Sequence, residues 1–232
     1  MIQIHTSHNP KERAAAEVSA ALEKYRQHDV LLLLAGGSAL DVLEYVDTNH
    51  IDELTTIMMM DERFSRASHE NNFLQMTQTL FYTKLTNTDC NFIPTIPDEG
   101  EVHEVFCSRI NNELTDYLEK RTDGKVVALF GIGPDGHTAA VFPMKQEDFT
   151  DTYGQGQLYT HVTYEQNPFQ KRTTITPKFI SQYVDLSAIY AVGEEKREIL
   201  ESFTQPHKLH ELPACIHTQI GSSLHTDLAL HT

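Results

Sequence analysis

The chain has 232 residues, of which 40% are hydrophobic, enough for one substantial core. Its formal net charge is −15, from 33 acidic and 18 basic residues. Nucleic acid is held by basic surfaces that release counterions, so this charge argues against a nucleic-acid partner. We predict a single domain over residues 1–232.

Targeting and cysteine patterns are consistent with a cytoplasmic protein. No apolar run approaches the roughly 20 residues that cross a bilayer, which argues against a membrane protein. Residues 1–18 lack the basic start, apolar core and cleavage site of a secretion signal. Cys90, Cys107 and Cys215 are far apart, which favours neither a disulfide framework nor a cysteine zinc site. We therefore expect a soluble cytoplasmic protein, monomer or homodimer, without a metal or other cofactor.

The first predicted elements are a helix, a buried strand and a second helix. An Asn-Pro pair starts the helix over residues 10–27, where apolar residues recur at helical spacing. Val30–Gly37 is short, apolar and ends in glycines, which is typical of a strand buried on both faces. Ser38 is predicted to cap the next helix, with Asp41 as the acid of a capping box.

The strand pattern returns at Thr55–Phe64, where an apolar run stops on a cluster of charge. Helical spacing predicts helices over residues 72–85 and 102–118. Between them, residues 87–100 hold two prolines and few apolar side chains, so we interpret them as a loop. An apolar strand follows at residues 125–131.

The last third of the chain continues the alternation of strands and helices. Residues 144–157 are polar and are interpreted as a long loop. Two strands are predicted at residues 158–164 and 172–177, and a short helix begins at Pro177. A further strand at residues 188–193 and a helix at 194–203 follow. This order predicts an α/β fold in which a mostly parallel sheet carries helices on both faces, a Rossmann-like three-layer sandwich.

Four predicted strand ends carry unusual residues, namely AGGS at 35–38, DER at 61–63, GIGPDGH at 131–137 and GEEK at 193–196. Open α/β sheets bind ligands at the carboxyl ends of their strands. The sequence therefore predicts one ligand site to which all four ends contribute.

The glycines of residues 131–136 have the G-x-G-x-x-G spacing of a dinucleotide-binding turn. However, Pro134 removes one amide donor, and the charge of Asp135 would oppose a pyrophosphate. Residues 144–157 also lack the second strand that this fingerprint requires. We therefore reject a dinucleotide site here.

The same turn offers a titratable pair, Asp135 and His137. Histidine titrates close to neutral pH, and a carboxylate two residues away could orient the ring as a general base. The alternative is that Asp135 only bonds its own backbone in the turn while His137 is a surface histidine. The residues alone leave both interpretations open.

Several segments resemble a known family. GIGPDGHTAAVFP, at residues 131–143, is similar to the signature G-x-G-x-D-G-H-T-A-S-L-F-P of 6-phosphogluconolactonases, which share a fold with glucosamine-6-phosphate deaminases. DERFSRASHENNF at 61–73 and AGGSAL at 35–40 resemble that family's D-E-R-x-V-P and G-G-S-T-P segments. Ser65 and Arg66 stand where that family usually has Val-Pro, and Ala39 and Leu40 stand where it usually has Thr-Pro. The resemblance implies the α/β fold of the sugar-phosphate isomerase/lactonase type.

The resemblance also implies an activity, hydrolysis of 6-phospho-D-glucono-1,5-lactone to 6-phosphogluconate in the oxidative pentose phosphate pathway. His137 would be the base that activates water, with Asp135 orienting it. Arg63 would stabilise charge near the reacting carbonyl, and Asp61 would contact the substrate. These residues form the expected catalytic part of the site.

The phosphate of the substrate is expected at the other part of the site. Gly36, Gly37 and Ser38 would offer a small-residue turn at the positive end of a helix. Arg172 and Lys196, which match basic positions of the family, would complete the anion site.

Two alternative functions remain at this point. The first is a glucosamine-6-phosphate deaminase or isomerase, but Phe142 stands where that branch carries a glutamate that assists ring opening. The second is a non-catalytic phosphosugar-binding protein, suggested by the departures in residues 35–40 and 61–73.

Overall fold

The structure is a computed structural model, and it describes residues 2–202 and 204–230. Its strands are β1 Gln3–Thr6, β2 Val30–Leu34, β3 Thr55–Met59, β4 Asp61–Arg63, β5 Asn91–Ile93, β6 Lys125–Gly131, β7 Tyr159–Thr163, β8 Lys171–Ile175, β9 Leu186–Tyr190 and β10 Ser223–Thr226. The α-helices are α1 Pro10–Tyr25, α2 Asn72–Met76, α3 Leu80–Leu85, α4 His103–Lys120, α5 Gln146–Tyr153, α6 Pro177–Tyr183, α7 Arg197–Ser202 and α8 Ile216–Ile220. Short 3₁₀ segments lie at Gly37–Tyr45, Glu194–Lys196 and Pro213–Cys215.

Within the described residues, seven strands form one parallel sheet in the order β1-β10-β9-β6-β2-β3-β5. Strand β2 shows why both faces are covered, since every residue of it is buried. Leu31 and Leu33 pack with α4 and α6, whereas Leu32 and Leu34 pack with α1 on the opposite face. The predicted α/β fold, a mostly parallel sheet between helices, is confirmed.

The strand order creates a crevice at one edge of this sheet. From β2 the chain continues to β3 on one side, whereas β6, on the other side of β2, leads to β9. The connections therefore diverge at the carboxyl ends of β2 and β6, and such a point leaves room for a ligand.

The predicted strand over residues 55–64 is wrong in one respect, because the chain changes sheets at Met60. The Met60 N–H donates to the carbonyl of Leu34 in the parallel sheet, and its own carbonyl accepts from the N–H of Ile175. Strand β4 then pairs antiparallel with β8, and β8 pairs antiparallel with β7. Within the described residues, β4, β8 and β7 thus form a second, small sheet over the crevice-forming edge.

The predicted loops at 87–100 and 144–157 each contain a regular element. The first includes β5, a three-residue edge strand, and the second includes α5. Helix α5 has a polar sequence because it buries only Phe149 and Tyr153, four residues apart on one face. Both elements have too few apolar residues to show a period in the sequence.

Three further differences concern helix starts and the chain ends. Ser38 does not cap a helix with its side chain, since Gly37 has φ +63° and the following segment is 3₁₀. The helix predicted over 194–203 is a 3₁₀ turn followed by α7, and Phe203 lies outside the described residues. The sequence patterns also missed β1 and β10, which pair in parallel with each other. Within the described ranges, no helix combines the length and the apolarity needed to cross a membrane.

Candidate active site

An open cleft with a volume of about 350 Å³ lies at the carboxyl ends of β2 and β6. All of the residues predicted for the site line it, except Asp135. The four predicted strand ends do converge, because parallel strands end at the same edge of the sheet and β4 folds back over that edge. The assignment of individual residues to catalysis and phosphate binding stays a prediction.

Asp135 and His137 form a hydrogen-bonded pair on the turn after β6. Asp135 Oδ1 lies 2.5 Å from Nδ1 of His137 and also accepts the backbone N–H of His137 at 3.2 Å. Burial alone would raise the pKa of Asp135, but the hydrogen bonds and charge of His137 lower it overall. The carboxylate therefore stays ionised at neutral pH and orients the ring, which leaves Nε2 as the ring nitrogen free to meet a ligand.

Two glycines make this turn geometrically feasible. A Cβ on Gly133 would lie 2.1 Å from Cε1 of His137, so the ring occupies the space over this backbone. Gly136 has φ +82°, a left-handed conformation that glycine adopts without strain. The spacing that resembles a dinucleotide motif thus serves to place a histidine ring.

Gly133→Ala should lower the activity of the site by about tenfold or more, because the added methyl group must displace the His137 ring. Gly100→Ala is the stability control, since Gly100 lies outside the cleft and has φ +76°, so its added methyl group strains the backbone without meeting any atom within 4 Å. Steady-state kinetics of both variants, with their melting temperatures, check this expectation. Equal losses in the two variants would contradict it.

Arg63 is held over the cleft by two contacts. Its Nη1 donates to the carbonyl of Glu70 at 3.0 Å, and its guanidinium lies 4.4 Å from the centre of the Phe169 ring. Burial lowers the pKa of Arg63, and the charge of Arg172 lowers it further. An arginine nevertheless stays charged in proteins, so it brings a permanent positive charge to this wall.

Arg172 forms a buried ion pair with Asp61, with Nη2 of the arginine donating to Oδ2 of the carboxylate. Both side chains are at least nine-tenths buried. The pair joins β4 to β8 and presents both residues to the cleft. Arg172 is therefore not a free surface cation, because it is buried and paired with Asp61.

Glu62 lies beneath the cleft and connects β4 to α2. Its carboxylate accepts hydrogen bonds from the backbone N–H groups of Asn72 at 2.5 Å, Phe73 at 2.9 Å and Arg63 at 2.7 Å. The hydroxyl of Thr95 donates to it at 3.0 Å. Burial raises the pKa of Glu62 to about 8, although these hydrogen bonds oppose the rise. The conformation of the DER segment therefore depends on this carboxyl group.

The loop after β2 packs against the amide of Asn72. A Cβ on Gly36 would lie 2.3 Å from Oδ1 of Asn72, so only glycine allows this approach. The amide nitrogen of Asn72 donates to the carbonyl of Asp61 at 3.1 Å. Gly37 and Ser38 follow at the edge of the cleft. The small-residue turn therefore lies at the cleft, but it leads into a 3₁₀ segment rather than an α-helix.

Lys196 reaches the cleft from the turn after β9. Burial lowers its pKa, whereas the charges of Glu195 and Asp227 raise it. Among the described residues that line the cleft, Arg63, Arg172 and Lys196 are cationic and Asp61 is the one acidic residue. On a chain of net charge −15, this local excess of cations is suited to an anion.

The hairpin between β7 and β8 contributes a wall that the sequence did not reveal. Asn167, Pro168 and Phe169 line the cleft, and Phe169 supports Arg63. The sequence predicts two strands here but does not show that they pair antiparallel. Without that pairing, the sequence does not show that the loop between them lies at the cleft. The pair of turn-forming residues, Asn167 and Pro168, is the one local signal that could have drawn attention to it.

Comparisons with known proteins agree with this architecture. A family model described as glucosamine-6-phosphate isomerases/6-phosphogluconolactonase matches residues 5–225. A 6-phosphogluconolactonase of Helicobacter pylori strain J99 is 27% identical over 206 residues, covering 87% of this chain and 83% of the relative.

Solved structures share the fold at lower sequence identity. The 6-phosphogluconolactonase of Thermotoga maritima superposes with a TM-score of 0.79 at 19% identity, covering 97% of this chain and 99% of that one. The Plasmodium vivax 6-phosphogluconolactonase gives a TM-score of 0.76 at 15% identity, covering 100% of this chain and 91% of that one. Because the family model spans almost the whole sequence, the chain belongs to the glucosamine-6-phosphate isomerase/6-phosphogluconolactonase family.

Proposed function

We propose that this protein is a 6-phosphogluconolactonase, which hydrolyses 6-phospho-D-glucono-1,5-lactone to 6-phosphogluconate. The observation that carries the proposal is the Asp135–His137 pair at a cleft whose lining is rich in cations. The curated relatives from Helicobacter pylori bear this name, which supports the choice within the family. The substrate is then a small phosphosugar, whose phosphate carries about −1.5 to −2 charges at neutral pH.

His137 is the base in the proposed reaction. Its Nδ1–H donates to Asp135, so the unprotonated Nε2 accepts a proton from water. The resulting hydroxide attacks the lactone carbonyl carbon, and negative charge develops on the carbonyl oxygen. When the bond between that carbon and the ring oxygen breaks, the imidazolium returns its proton to the departing oxygen. Water is thus divided between the new carboxyl group and the new hydroxyl group.

Arg63 stabilises the charge that develops on the carbonyl oxygen. Phe169 and the carbonyl of Glu70 hold its guanidinium in place before the substrate arrives, which lowers the cost of reorganisation. Asp61 contributes in two ways, because it accepts a hydrogen bond from a sugar hydroxyl and it is the partner of Arg172. The reacting carbonyl therefore lies between His137 and Arg63.

The phosphate binds at the end of the cleft formed by the loop after β2. Gly36, Gly37 and Ser38 supply backbone N–H groups, and Lys196 supplies a mobile positive charge. Arg172 lines the same cleft and attracts the phosphate more weakly than Lys196 does, because it is paired with Asp61. Ala39 has no hydroxyl for the phosphate, so we expect modest affinity at this end.

Deamination or isomerisation of glucosamine 6-phosphate is the competing reaction. Phe142 occupies the position of that branch's glutamate, is fully buried, and stacks on Tyr164 with ring centres 4.2 Å apart. No acid or base is supplied from this position, so we favour the lactonase.

The test is hydrolysis of the lactone by purified protein, corrected for spontaneous hydrolysis, with ammonia release from glucosamine 6-phosphate measured in parallel. We expect lactone hydrolysis and no ammonia. Ammonia release without lactonase activity would overturn the proposal in favour of the deaminase. A phosphosugar that raises the melting temperature while the lactone disappears at its spontaneous rate would identify a non-catalytic binding protein.

A further inference from the structure

A buried set of hydrogen bonds, centred on His217 of α8, lies under the turn of residues 131–138. This turn carries Asp135 and His137 and is called the catalytic turn below. Nε2 of His217 lies 2.9 Å from Oγ1 of Thr138, and its Nδ1 lies 3.3 Å from Oγ of Ser187 and 3.1 Å from Oγ of Ser222. The Thr138 hydroxyl donates to the carbonyl of Gly131 at 3.1 Å, and the Ser222 hydroxyl donates to Ser187 at 2.8 Å. All four side chains are at least 95% buried.

These contacts fasten both ends of the turn that carries Asp135 and His137. Gly131 ends β6, Thr138 follows His137 directly, and the hydrogen bond between Thr138 and Gly131 closes the loop at its base. A backbone bond from the Gly133 N–H to the His137 carbonyl, at 2.9 Å, closes it once more above. His217 itself does not line the cleft. Its hydrogen bond to Thr138 is its polar link to the turn, and its ring also packs edge-on against Phe130 of β6, with ring centres 4.6 Å apart.

His217 is neutral at physiological pH, because burial lowers its pKa to about 3. One ring nitrogen therefore carries a hydrogen and the other accepts one. If Nε2 carries the hydrogen, the bonds run in one direction from Ser222 to Ser187, to His217, to Thr138 and finally to Gly131.

The opposite tautomer satisfies fewer of these groups. With the hydrogen on Nδ1, the single proton of the Thr138 hydroxyl must go to Nε2, and its bond to the carbonyl of Gly131 is lost. The Ser187 hydroxyl would also lose its acceptor on His217. Buried polar groups are expensive to leave unpaired, which favours the Nε2–H form.

We propose that His217, as its Nε2–H tautomer, is a positioning residue that holds the catalytic turn through Thr138. The role in catalysis rests on the proposed lactonase function, whereas the hydrogen-bond arrangement does not. Because misplacing a catalytic group by about 1 Å can cost about 100-fold in rate, loosening Thr138 changes the turnover of His137 more than it changes substrate binding.

Four variants separate this role from simple support of the core. Thr138→Val removes the hydroxyl, and Thr138→Ser retains it. His217→Gln places an amide donor near the position of Nε2, whereas His217→Asn retains an acceptor near Nδ1 and loses the donor to Thr138. Thr176→Val is the stability control, since Thr176 is an equally buried threonine whose hydroxyl caps α6 away from the cleft.

We expect Thr138→Val and His217→Asn to lower kcat by about 10- to 100-fold with KM changed by less than about threefold. Thr138→Ser and His217→Gln should retain kcat within about threefold of the wild type, although all four variants lose thermal stability. Thr176→Val should lose stability without a matching loss of kcat. The proposal is overturned if His217→Asn and His217→Gln have equal kcat values, or if kcat follows melting temperature alone across the set.

Nitrogen-15 NMR of histidine-labelled wild-type protein tests the arrangement without any variant and without activity. At pH 7, His217 should be neutral, with the hydrogen on Nε2, and it should keep this form down to about pH 5. A hydrogen on Nδ1, or a protonated ring at pH 6, would refute the arrangement. If the tautomer is found but the wild type hydrolyses no lactone, it is the proposed function that fails and not the hydrogen-bond arrangement.

Discussion

His137→Ala should lower kcat for lactone hydrolysis by about 10²–10⁴-fold, the contribution expected of a general base. The reason is geometric, because the ring lies in a cleft with Nδ1 committed to Asp135 and Nε2 free to receive a proton from water. KM should change much less, since the cations of the cleft remain. The measurement is the steady-state rate of lactone loss at several pH values, with spontaneous hydrolysis subtracted.

Two further variants sharpen this result. Asp135→Asn keeps the shape of the side chain but removes its charge. Its NH2 group can donate to Nδ1 of His137 and so place the ring hydrogen on Nε2, where a base cannot accept a proton from water, and kcat should fall as well. His28→Ala is the control, because His28 is exposed and precedes β2 at the opposite edge of the sheet. A His137→Ala enzyme with the full rate would remove the base assignment while leaving the family assignment intact.

The convergence of the strand ends could be predicted from the sequence, and the reason is physical. Each apolar run was followed at once by glycine or charge, and parallel strands bring their carboxyl ends to one edge. The residues after β2, β6 and β9 were found in this way. The local pattern carries this information because an apolar run marks the part of a strand that helices cover on both faces, and the change to glycine or charge marks where that cover ends.

The second sheet could not be predicted, because its pairing is set by distant parts of the chain. Strand β4 is three residues long, and its partner β8 begins more than 100 residues later. No periodicity in either segment shows that Met60 bonds to both sheets. The same holds for the Asp61–Arg172 pair and for His217, whose partners come from separate elements. The sequence predicts Arg172 in the phosphate site, but it does not show that Arg172 forms a buried ion pair with Asp61.

Breaking the buried Asp61–Arg172 pair should lower the free energy of unfolding far more than breaking an exposed ion pair. Replacing Asp61 with Asn, or Arg172 with Met, leaves one charge buried without its partner, and this should lower the free energy of unfolding by about 3–5 kcal/mol. Asp116→Ala breaks the exposed pair with Lys120 and should cost at most about 0.5 kcal/mol. Urea denaturation of each variant at pH 7 gives these free energies.

The double variant Asp61→Asn/Arg172→Met separates the two roles of the pair. With both charges removed, the free energy of unfolding should recover part of the loss seen in either single variant, because no charge is left buried alone. Activity should not recover with it, since the cleft then lacks one of its cations and one of its polar contacts. If the double variant were as unstable as the sum of the single variants, the two side chains would act independently, and the pair would not be what joins β4 to β8. If stability and activity both returned, the pair would be structural only, and the charge for the phosphosugar would have to come from Arg63 and Lys196 alone.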